Sequence, residues 1–486
     1  MRDAVAALSA AFFFSQLRDK GMKSEAICWA NAGDIVEAVR AGEITASEVV
    51  SAVLQRIAVI DGTLRAFVTV CADEAIAAAR AADARRPKGG VLGPLDGVPV
   101  SVKDIICTKG VRTTAGSKLQ ETFVPDTDAI VVERLKSAGA IVIGKTTTPE
   151  YCHKTVTVSP LTGETLNPWD LGRTPGGSSG GSAVAVATGM GPISIGTDGG
   201  GSIRLPAALC GIVGLKPTVG TVPQWPVIAG WDLLGHTGPL ARSVADIQRV
   251  MSAISGPDSR DPESFVHLDA TRPEKLRVAW ARSLDHLEPE PEVAHALDDA
   301  VAAVRQVADQ LDEVVLNWSD PDQQYRVIVL SDLVSALGHR LGSEKDRTVM
   351  DPTLIQMLEF GLTLTGGDLA RALRWKRHFA ARVLTWFRDY DILMVPTAPV
   401  TAFPVGVLGP RVISGKKTSP HAWFNWTWPF NVTGQPALSL PVLPTTGLPV
   451  GIQIVGRPGQ DLLVMSFGEE LEKRLSRDIR PPLGLV

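Results

Sequence analysis

Short apolar segments alternate with helical segments in the first half of the chain, and this alternation restricts the fold more than any other feature. In GVPVSVKD, Val98, Val100 and Val102 occupy one face of an extended segment, and Ser101 and Lys103 occupy the other. Such alternation predicts a strand. AIVIGKT and PISIGTD are mostly apolar, as strands buried on both faces are, and AIVVERLKSAG and SAVAVATGM between them have helical patterns. Strands that alternate with helices predict an α/β fold with helices on both faces of a central sheet.

The N-terminal part of the chain is predicted to consist of an extension followed by helices. AVAALSAAFFF lies behind Arg2, as the apolar part of a signal peptide would, but Asp3 weakens the basic start and SQLRDKG is not a cleavage site. We therefore expect residues 1–30 to be an N-terminal extension, which need not be ordered. DIVEAVRAG predicts a helix that ends at Gly42. Thr45 and Glu48 form a capping box for the helix that follows.

The remainder, residues 31–486, is expected to be a single domain. Within it, residues 256–390 are charge-rich and predict a helical insertion, and RLPAALCGIVGLKPT predicts a loop-rich passage. DILMVPTAP, PALSLPVLP and GLPVGIQIVG near the C-terminus return to the pattern of strands.

Charge and cysteine content exclude several classes of function. A formal net charge of −4 provides no basic surface, so we expect no nucleic-acid partner. The five cysteines form no C-x-x-C pair, which is typical of reduced thiols in the cytoplasm rather than of disulfides or a zinc site. Apolar runs fall short of the roughly 18 residues that span a bilayer. The sequence therefore predicts a cytoplasmic protein without a membrane span, and it indicates no metal and no cofactor.

Two glycine- and serine-rich clusters, TPGGSSGGSA at 174–183 and GTDGGGSIRLPA at 196–207, stand close together. Glycine loses more conformational entropy on folding than other residues do, so the clusters indicate a function for the backbone. Phosphate binding is one interpretation, because GAIVIGKT at 139–146 satisfies the P-loop pattern. A P-loop follows a strand and opens a helix, whereas AIVI is itself a predicted strand and Gly139 ends a predicted helix. We therefore treat the match as coincidental.

A nucleophile elbow is a second interpretation, since GGSSG at 176–180 fits the pattern G-x-S-x-G. Ser178 would then attack the substrate, with a downstream histidine as its base. The candidates are His236, His267 and His421. None of the three lies in a sequence context that favours it, so this interpretation has little support.

A third interpretation combines both clusters with Lys103. Four successive backbone N–H groups can turn toward one point: those of Gly199, Gly200, Gly201 and Ser202. Such a nest binds negative charge and could serve as an oxyanion hole in acyl transfer. Ser202 would be the nucleophile, Lys103 its base and Ser178 the proton relay between them. Burial would lower the pKa of the lysine from its ordinary value of about 10.4 and make it a usable base.

These residues resemble a known family. VSVKD, TPGGSSGGSA and GTDGGGSIRLPA are similar, in order and spacing, to the three landmarks of the amidase signature family. The similarity continues through GIVGLKPTVG, MVPTAP, PFNVTGQPALSLP and GLPVGIQIVGRPGQD and is weakest in the predicted insertion. The resemblance implies a mixed central sheet covered by helices on both faces. It also implies a triad of nucleophile Ser202, bridging Ser178 and base Lys103, with a cis peptide bond between Gly177 and Ser178.

Several neighbouring residues have both a functional and a structural interpretation. Asp198 and Arg204 flank the predicted nucleophile, and we expect them to brace its loop rather than to contact substrate. Cys152, in EYCHKTVTVSP, is placed by the resemblance at the wall of the substrate pocket near the scissile bond, where Ser178 is also expected to contact the substrate, although a buried structural cysteine fits the composition equally well. We expect His153 to be a packed or surface residue rather than an acid–base catalyst.

Two further features favour structural roles. Ser179 precedes a predicted helix, where serine commonly caps the helix N-terminus. HAWFNWTWPF, at 421–430, holds five aromatic residues. We expect a core cluster there rather than the lining of a pocket.

The sequence predicts an amidohydrolase that cleaves a small-molecule carboxylic amide through an acyl-enzyme on Ser202. One alternative is the glutamine-hydrolysing component of a tRNA-dependent amidotransferase, its A subunit, which CTKGVRTT resembles and from which EYCHKTVTVSP departs. A second alternative is a non-catalytic binding protein on the same fold, which the intact lysine and serines disfavour. The sequence leaves open which amide is cleaved and whether the protein is a homodimer.

Overall fold

One mixed sheet of 11 strands runs through the protein. The structure is a computed structural model, and it describes residues 20–85, 93–228, 230–264, 267–284, 287–318, 322–443, 447–475 and 480–482. The strands are β1 (Phe67–Val70), β2 (Pro99–Lys103), β3 (Ile141–Thr146), β4 (Val158–Ser159), β5 (Gly163–Glu164), β6 (Ile193–Thr197), β7 (Val213–Lys216), β8 (Thr237–Ala241), β9 (Arg277–Trp280), β10 (Gln310–Glu313), β11 (Ile392–Pro396), β12 (Val412–Ile413), β13 (Lys416–Lys417), β14 (Ala437–Val442) and β15 (Val450–Val455).

Helices connect and cover these strands. In chain order they are α1 (Lys20–Trp29), α2 (Ala32–Ala41), α3 (Ala46–Leu64), α4 (Ala72–Arg85), α5 (Ile130–Ser137), α6 (Gly180–Ala187), α7 (Arg204–Cys210), α8 (Val244–Ile254), α9 (Pro291–Val304), α10 (Asp322–Leu337), α11 (Glu344–Arg347), α12 (Pro352–Gly361), α13 (Gly366–Trp386), α14 (Pro429–Val432) and α15 (Asp461–Leu475). The predicted ends of the early helices are confirmed. Gly42 caps α2 in the left-handed region at φ 77°, and Thr45 and Glu48 form the capping box of α3.

The strand order in the large sheet is β1-β3-β2-β6-β8-β7-β14-β15-β11-β9-β10. The neighbours β3, β2 and β6 are parallel to one another, as are β11, β9 and β10, and the other pairs are antiparallel. Because β2 and β6 are adjacent and parallel, their C-terminal ends, at Lys103 and Thr197, reach the same edge of the sheet. Ligand sites of parallel sheets form at such edges.

Helices cover the central strands on both faces. Every residue of β2, β7, β8, β11, β14 and β15 is buried, although side chains alternate between the two faces of a strand. The predicted alternation in β2 therefore separates two buried faces rather than a buried and a solvated one. This layering confirms the predicted α/β fold with a mixed sheet.

The structure adds two strands to one predicted segment and contradicts the prediction for another. The predicted helical insertion at 256–390 also supplies β9 and β10, which extend the large sheet beyond β11. Strand β10 is a partly exposed edge strand of sequence QLDE, so it carries no apolar alternation to reveal it. The passage RLPAALCGIVGLKPT, predicted to be loop-rich, forms α7 and β7, which Gly211 separates in the left-handed conformation at φ 72°.

Packing against the core begins before residue 31. Helix α1 carries Ile27 and Cys28 into the main hydrophobic cluster, together with Ala30 behind it. Residues 1–19 lie outside the described residues, so the extension remains a prediction for that part. Among the helices described, none is long and apolar enough to cross a membrane.

Candidate active site

Lys103 ends β2 as a buried lysine. Its Nζ donates to Ser178 Oγ at 2.6 Å and to Thr197 Oγ1 at 2.8 Å. Burial lowers the pKa of Lys103 from its ordinary value, and the adjacent Cys152 and Asp198 oppose that shift only in part. A lowered pKa makes an amine available as a proton acceptor at lower pH than an exposed lysine, and a hydroxyl partner places a proton within its reach. The structure thus brings together the predicted lysine and the first predicted serine.

Ser178 lies in a tightly packed turn before α6. The Gly177–Ser178 peptide bond is cis, as the resemblance implies. A Cβ at Gly177 would lie 2.9 Å from Thr157 Oγ1, so only glycine fits there. Thr157 Oγ1 in turn donates to the carbonyl of Gly176 at 2.8 Å. Thr157 therefore shapes the turn that presents Ser178 to Lys103.

Ser202 follows the second glycine cluster, and its side chain faces open space. Among the described residues, none forms a hydrogen bond with the Ser202 hydroxyl, and the residue is 7% exposed. Its own carbonyl accepts from the N–H of Ser179 at 3.1 Å, which ties the two serine-bearing turns together. Ser178 Oγ and Ser202 Oγ line a common cavity but are not hydrogen-bonded to each other in this structure.

Two cavities meet at Ser202. Cavity I holds about 580 Å³ of empty space including its mouth, and its walls include Ile106, Val131, Ser178, Trp225, Val227 and Ile228. Cavity II holds about 1210 Å³ on the same basis, and its walls include Lys154, Tyr325, Arg326, Leu330, Met357 and Phe360. Ser202, Cys152 and Trp231 line both. A substrate centred on Ser202 can therefore extend in two directions.

The glycine run before Ser202 has unused backbone donors. Within the described part of the chain, the N–H groups of Gly199, Gly200 and Ser202 donate to no protein group. The N–H of Gly201 donates to Asp198 Oδ1 at 2.7 Å. This differs from the predicted set of four donors, because a carboxylate already occupies the third one.

A buried ion pair braces this run from behind. Arg204 Nε and Nη2 donate to the two oxygens of Asp198 at 2.9 and 2.8 Å, and both side chains are fully buried. Burial opposes ionisation of Asp198, but the Arg204 charge, its hydrogen bonds and that of Asn431 hold the pKa of the carboxyl well below its usual range. The pair contacts the loop that carries Ser202 and lines neither cavity.

Asp198→Asn is expected to lower the free energy of unfolding by about 3–5 kcal/mol, because it leaves the Arg204 guanidinium buried without a counter-charge. Urea unfolding followed by tryptophan fluorescence would measure the change. Asp298→Asn is the matched control, since Asp298 pairs with Arg282 at 2.6 Å on a half-exposed surface and its loss should change stability by at most about 1 kcal/mol. Equal effects of the two substitutions would contradict the bracing role.

The sequence matches the model of a known family. A family model described as Amidase matches residues 48–465. The chain belongs to the amidase signature family. Its members and structural relatives cleave amide bonds, and this protein is accordingly an amide-cleaving hydrolase.

Relatives of the amidase fall into more than one functional group. An acylamidase of Rhodococcus erythropolis is 33% identical over 476 residues, which cover 96% of this chain and 100% of the relative. The A subunit of the glutamyl-tRNA(Gln) amidotransferase of Chloroflexus aggregans is 37% identical over 483 residues, covering 92% and 96%. A 6-aminohexanoate cyclic dimer hydrolase has a TM-score of 0.83 at 30% identity over 94% of this chain and 99% of the other. A bacterial aryl acylamidase has a TM-score of 0.85 at 25% identity over 92% and 96%.

The loop at 150–154 of the amidase forms part of the cavity walls. Tyr151 and Cys152 both have positive φ, at 47° and 60°, which turns the Cys152 side chain toward both cavities. His153 is a packed residue, as predicted, with Nδ1 on the Glu150 carbonyl at 2.6 Å and Nε2 on Thr353 Oγ1 at 2.7 Å. Burial lowers the pKa of His153 to about 4, so the ring is neutral at physiological pH.

Neither alternative interpretation of the motifs matches the amidase structure. Residues 141–146 form β3, and the Lys145 amine is buried against Ile106 and Thr108 rather than facing a phosphate site. Ser178 bonds to a lysine, whereas His236 is buried against the Leu234 carbonyl at 2.9 Å. His267 is exposed and His421 lines cavity II. The described residues therefore contain no histidine partner for Ser178.

The structure adds residues that sequence analysis did not single out. Thr197 and Thr157 support Lys103 and the Ser178 turn, and Thr427 and Asn431 support the glycine run. Thr197 stands directly before Asp198 in the quoted motif, so its position was the only available signal. Ser179 starts α6, but its hydroxyl donates to the Thr197 carbonyl at 3.2 Å instead of capping the helix.

The aromatic segment 421–430 is a core cluster, as predicted. Four of its five aromatic residues are buried: Trp423, Trp426, Trp428 and Phe430. The fifth, Phe424, is half-buried and lines cavity II with His421. The segment therefore contributes mainly to the support of the site and only at its start to a cavity wall.

Proposed function

We propose that the protein hydrolyses N-substituted amides of carboxylic acids through an acyl-enzyme on Ser202, with Ser178 as proton relay and Lys103 as base. The observation that carries the proposal is the position of the Ser202 hydroxyl, at the junction of two cavities and beside the buried Lys103–Ser178 pair. An N-substituted amide has a group on each side of its scissile bond. Two cavities that meet at one hydroxyl suit such a substrate.

The chemistry follows from the partners of each group. The neutral Lys103 amine takes a proton from Ser178, which takes the proton of Ser202 as Ser202 Oγ forms a bond to the carbonyl carbon. The carbonyl oxygen becomes negative and accepts hydrogen bonds from the free N–H groups of Gly199, Gly200 and Ser202. Collapse breaks the C–N bond, and the proton passes through Ser178 to the leaving amine. Water then cleaves the ester by the same route, and no step calls for a metal ion or cofactor.

The relay requires a rearrangement of one hydroxyl. Ser178 and Ser202 both line cavity I but are not hydrogen-bonded to each other. Catalytic hydrogen bonds are often long or misaligned without substrate and tighten in the Michaelis complex. Rotation of the Ser202 hydroxyl toward Ser178, once a carbonyl occupies the space beside it, completes the chain to Lys103.

The position of Ser178 supports an assignment of the two cavities to the two halves of the substrate. The leaving nitrogen must receive its proton from Ser178, and of the two cavities Ser178 lines only cavity I. We therefore place the amine in cavity I and the acyl group in cavity II. The walls of cavity I include Ile106, Val131 and Trp225 and, among the described residues, no Asp, Glu, Lys, Arg or His. Such a wall favours an apolar or aromatic amine.

Charge in the cavities disfavours the alternative of glutamine hydrolysis. Free glutamine carries an ammonium and a carboxylate, and a binding site desolvates both, so each needs a partner. Cavity II offers the cation Arg326, and also Lys154, which already pairs with Asp351 at 2.5 Å, but the described linings of the two cavities include no Asp or Glu. Sequence identity does not distinguish between the acylamidase and the amidotransferase relatives. The choice against glutamine hydrolysis therefore depends on the residues of the cavity walls.

The test is a panel of acyl anilides, primary amides and glutamine, incubated with the purified protein. We expect release of aniline, and little or no ammonia from glutamine. Ammonia from glutamine without anilide hydrolysis would favour the amidotransferase alternative instead. A protein that hydrolyses nothing and is not labelled by a fluorophosphonate would favour the non-catalytic alternative.

The assignment of the cavities predicts that two substitutions raise KM for different substrates. Met357→Trp, which fills cavity II, is expected to raise KM about 10-fold for long-chain acyl anilides but not for acetanilide, because a large side chain excludes the acyl chain. Val227→Trp, which fills cavity I, should raise KM for amides with bulky N-aryl groups but not for primary amides. Each variant is the control for the other in steady-state kinetics. An exchange of the two patterns would reverse the assignment.

A further inference from the structure

Tyr325 connects the predicted insertion to the glycine run before Ser202. It lies on α10, 6% exposed, and its hydroxyl donates to the Gly199 carbonyl at 3.1 Å. Its ring stacks on Trp428 with 5.2 Å between centroids and 21° between planes. A Cβ on Gly200 would collide with the Tyr325 hydroxyl, so glycine at 200 is what allows this approach. The stacking of the ring on Trp428 and the hydrogen bond to Gly199 therefore fix the position of the Tyr325 hydroxyl.

The bond to the Gly199 carbonyl controls the opposite end of the same peptide group. A trans peptide is planar, and its C=O and the next N–H point in opposite directions. When Tyr325 holds the Gly199 carbonyl, the Gly200 N–H is therefore directed away from Tyr325. That N–H donates to no described protein group, and Gly200 lines cavity II beside Ser202. It is one of the three donors available to an oxyanion.

The next peptide group of the run is held at both ends. Thr427 Oγ1 donates to the Gly200 carbonyl at 2.6 Å, and the Gly201 N–H donates to Asp198 at 2.7 Å. The Gly199–Gly200 peptide has its carbonyl held by Tyr325 and its N–H free. Among the described contacts, the Tyr325 hydroxyl is the only side-chain donor to this peptide. Without it the Gly199–Gly200 peptide could rotate, as glycine torsions are permissive.

We propose that Tyr325 is a positioning residue that orients the Gly200 N–H toward the oxyanion of the tetrahedral intermediate. The inference rests on the proposed function, since it needs a reaction at Ser202. Tyr325 touches no reacting atom in this role. Preorganised donors contribute to the rate because they need no rearrangement when charge develops. The insertion therefore supports the chemical step as well as forming a wall of cavity II.

The test is Tyr325→Phe, which keeps the stacked ring and removes only the hydroxyl. We expect kcat for an anilide to fall about 10-fold with KM unchanged, because the lost hydrogen bond acts on the transition state. An acyl trifluoromethyl ketone forms an oxyanion on Ser202, and its Ki should rise by about the same factor. Titration of active sites with a fluorophosphonate expresses kcat per folded site, so partial unfolding does not imitate the effect.

Tyr390→Phe is the matched control. Tyr390 also stacks on a tryptophan, Trp386, at 4.9 Å, and its hydroxyl donates to Asp312 at 3.2 Å; neither Tyr390 nor Asp312 lines a cavity. This variant should keep wild-type kcat and Ki. Wild-type kcat in Tyr325→Phe, a change in KM alone, or a fall in kcat with unchanged Ki would each overturn the role of Tyr325 while the proposed function stands. A wild-type protein that neither hydrolyses anilides nor reacts with the fluorophosphonate would overturn both.

Discussion

Ser202→Ala is expected to lower kcat/KM for anilide hydrolysis by about 10⁴-fold or more, because, among the described residues, Ser202 has the only hydroxyl that lines both cavities and could form the proposed acyl-enzyme. Ser178→Ala should also be severely impaired, since the proton path to Lys103 is broken. Peptide mass spectrometry after fluorophosphonate treatment would locate the nucleophile. We expect the adduct on Ser202, absent from Ser202→Ala and formed slowly in Ser178→Ala.

Ser194→Ala is the control for the loss of a buried serine hydroxyl. Ser194 accepts from Ser101 Oγ at 2.9 Å inside the sheet and lines neither cavity. It should retain near wild-type kcat/KM and labelling. An adduct on Ser178 instead of Ser202 would favour the nucleophile elbow. No adduct, under conditions that label a control amidase, would favour a binding role.

Lys103→Met is expected to lower kcat/KM by about 10³-fold, within the range for loss of a general base. In the proposed mechanism the neutral amine is the active form, so kcat/KM of the wild type should rise with pH through the pKa of Lys103 and then level off. Burial lowers that pKa, which places the rise below the ordinary value of about 10.4. The variant should lose the rise. Rates measured across pH 5–10 with one anilide would test both effects.

Lys145→Met provides the matched control, because Lys145 is also fully buried and lies beside Val102 on the neighbouring strand. Burial lowers its pKa to about 8, but its amine bonds to Ile106, Thr108 and Thr113 instead of to a serine. We expect this variant to be less stable and to keep the wild-type pH profile. Loss of the rise in Lys145→Met but not in Lys103→Met would show that Lys103 is not the base.

Local features of the fold were predictable where neighbours in sequence decide them. The capping box of Thr45 and Glu48 and the end of α2 at Gly42 depend on residues within one turn of each other. Strands β3 and β6 follow from short apolar runs. Prediction failed at β10, because an exposed edge strand of four residues has no apolar pattern, and at α7, where RLPAALC is shorter than two helical turns.

At the site, the sequence by itself determined which residue types stand in which order: the lysine that ends β2, the serine after a glycine pair and the serine after three glycines. Those motifs were enough for the family, since their combination and spacing are specific. They also indicated the bracing pair of Asp198 and Arg204, because six residues in a turn and helix start bring the two side chains together.

Only the tertiary structure decided what surrounds those residues. Tyr325 and Thr427 reach the glycine run from 126 and 227 positions along the chain, and no periodicity records contacts at such separations. The commitment of the Gly201 N–H to Asp198 depends on loop torsions that glycine leaves open. Cavity II forms between the loop at 150–154, Trp231 and the helices α10 and α12, whereas cavity I forms between Trp231, Ile106, Val131 and the segment 223–228. Substrate preference arises there because cavity shape depends on how distant segments pack, whereas the chemistry depends on a few residues whose order the sequence already contains.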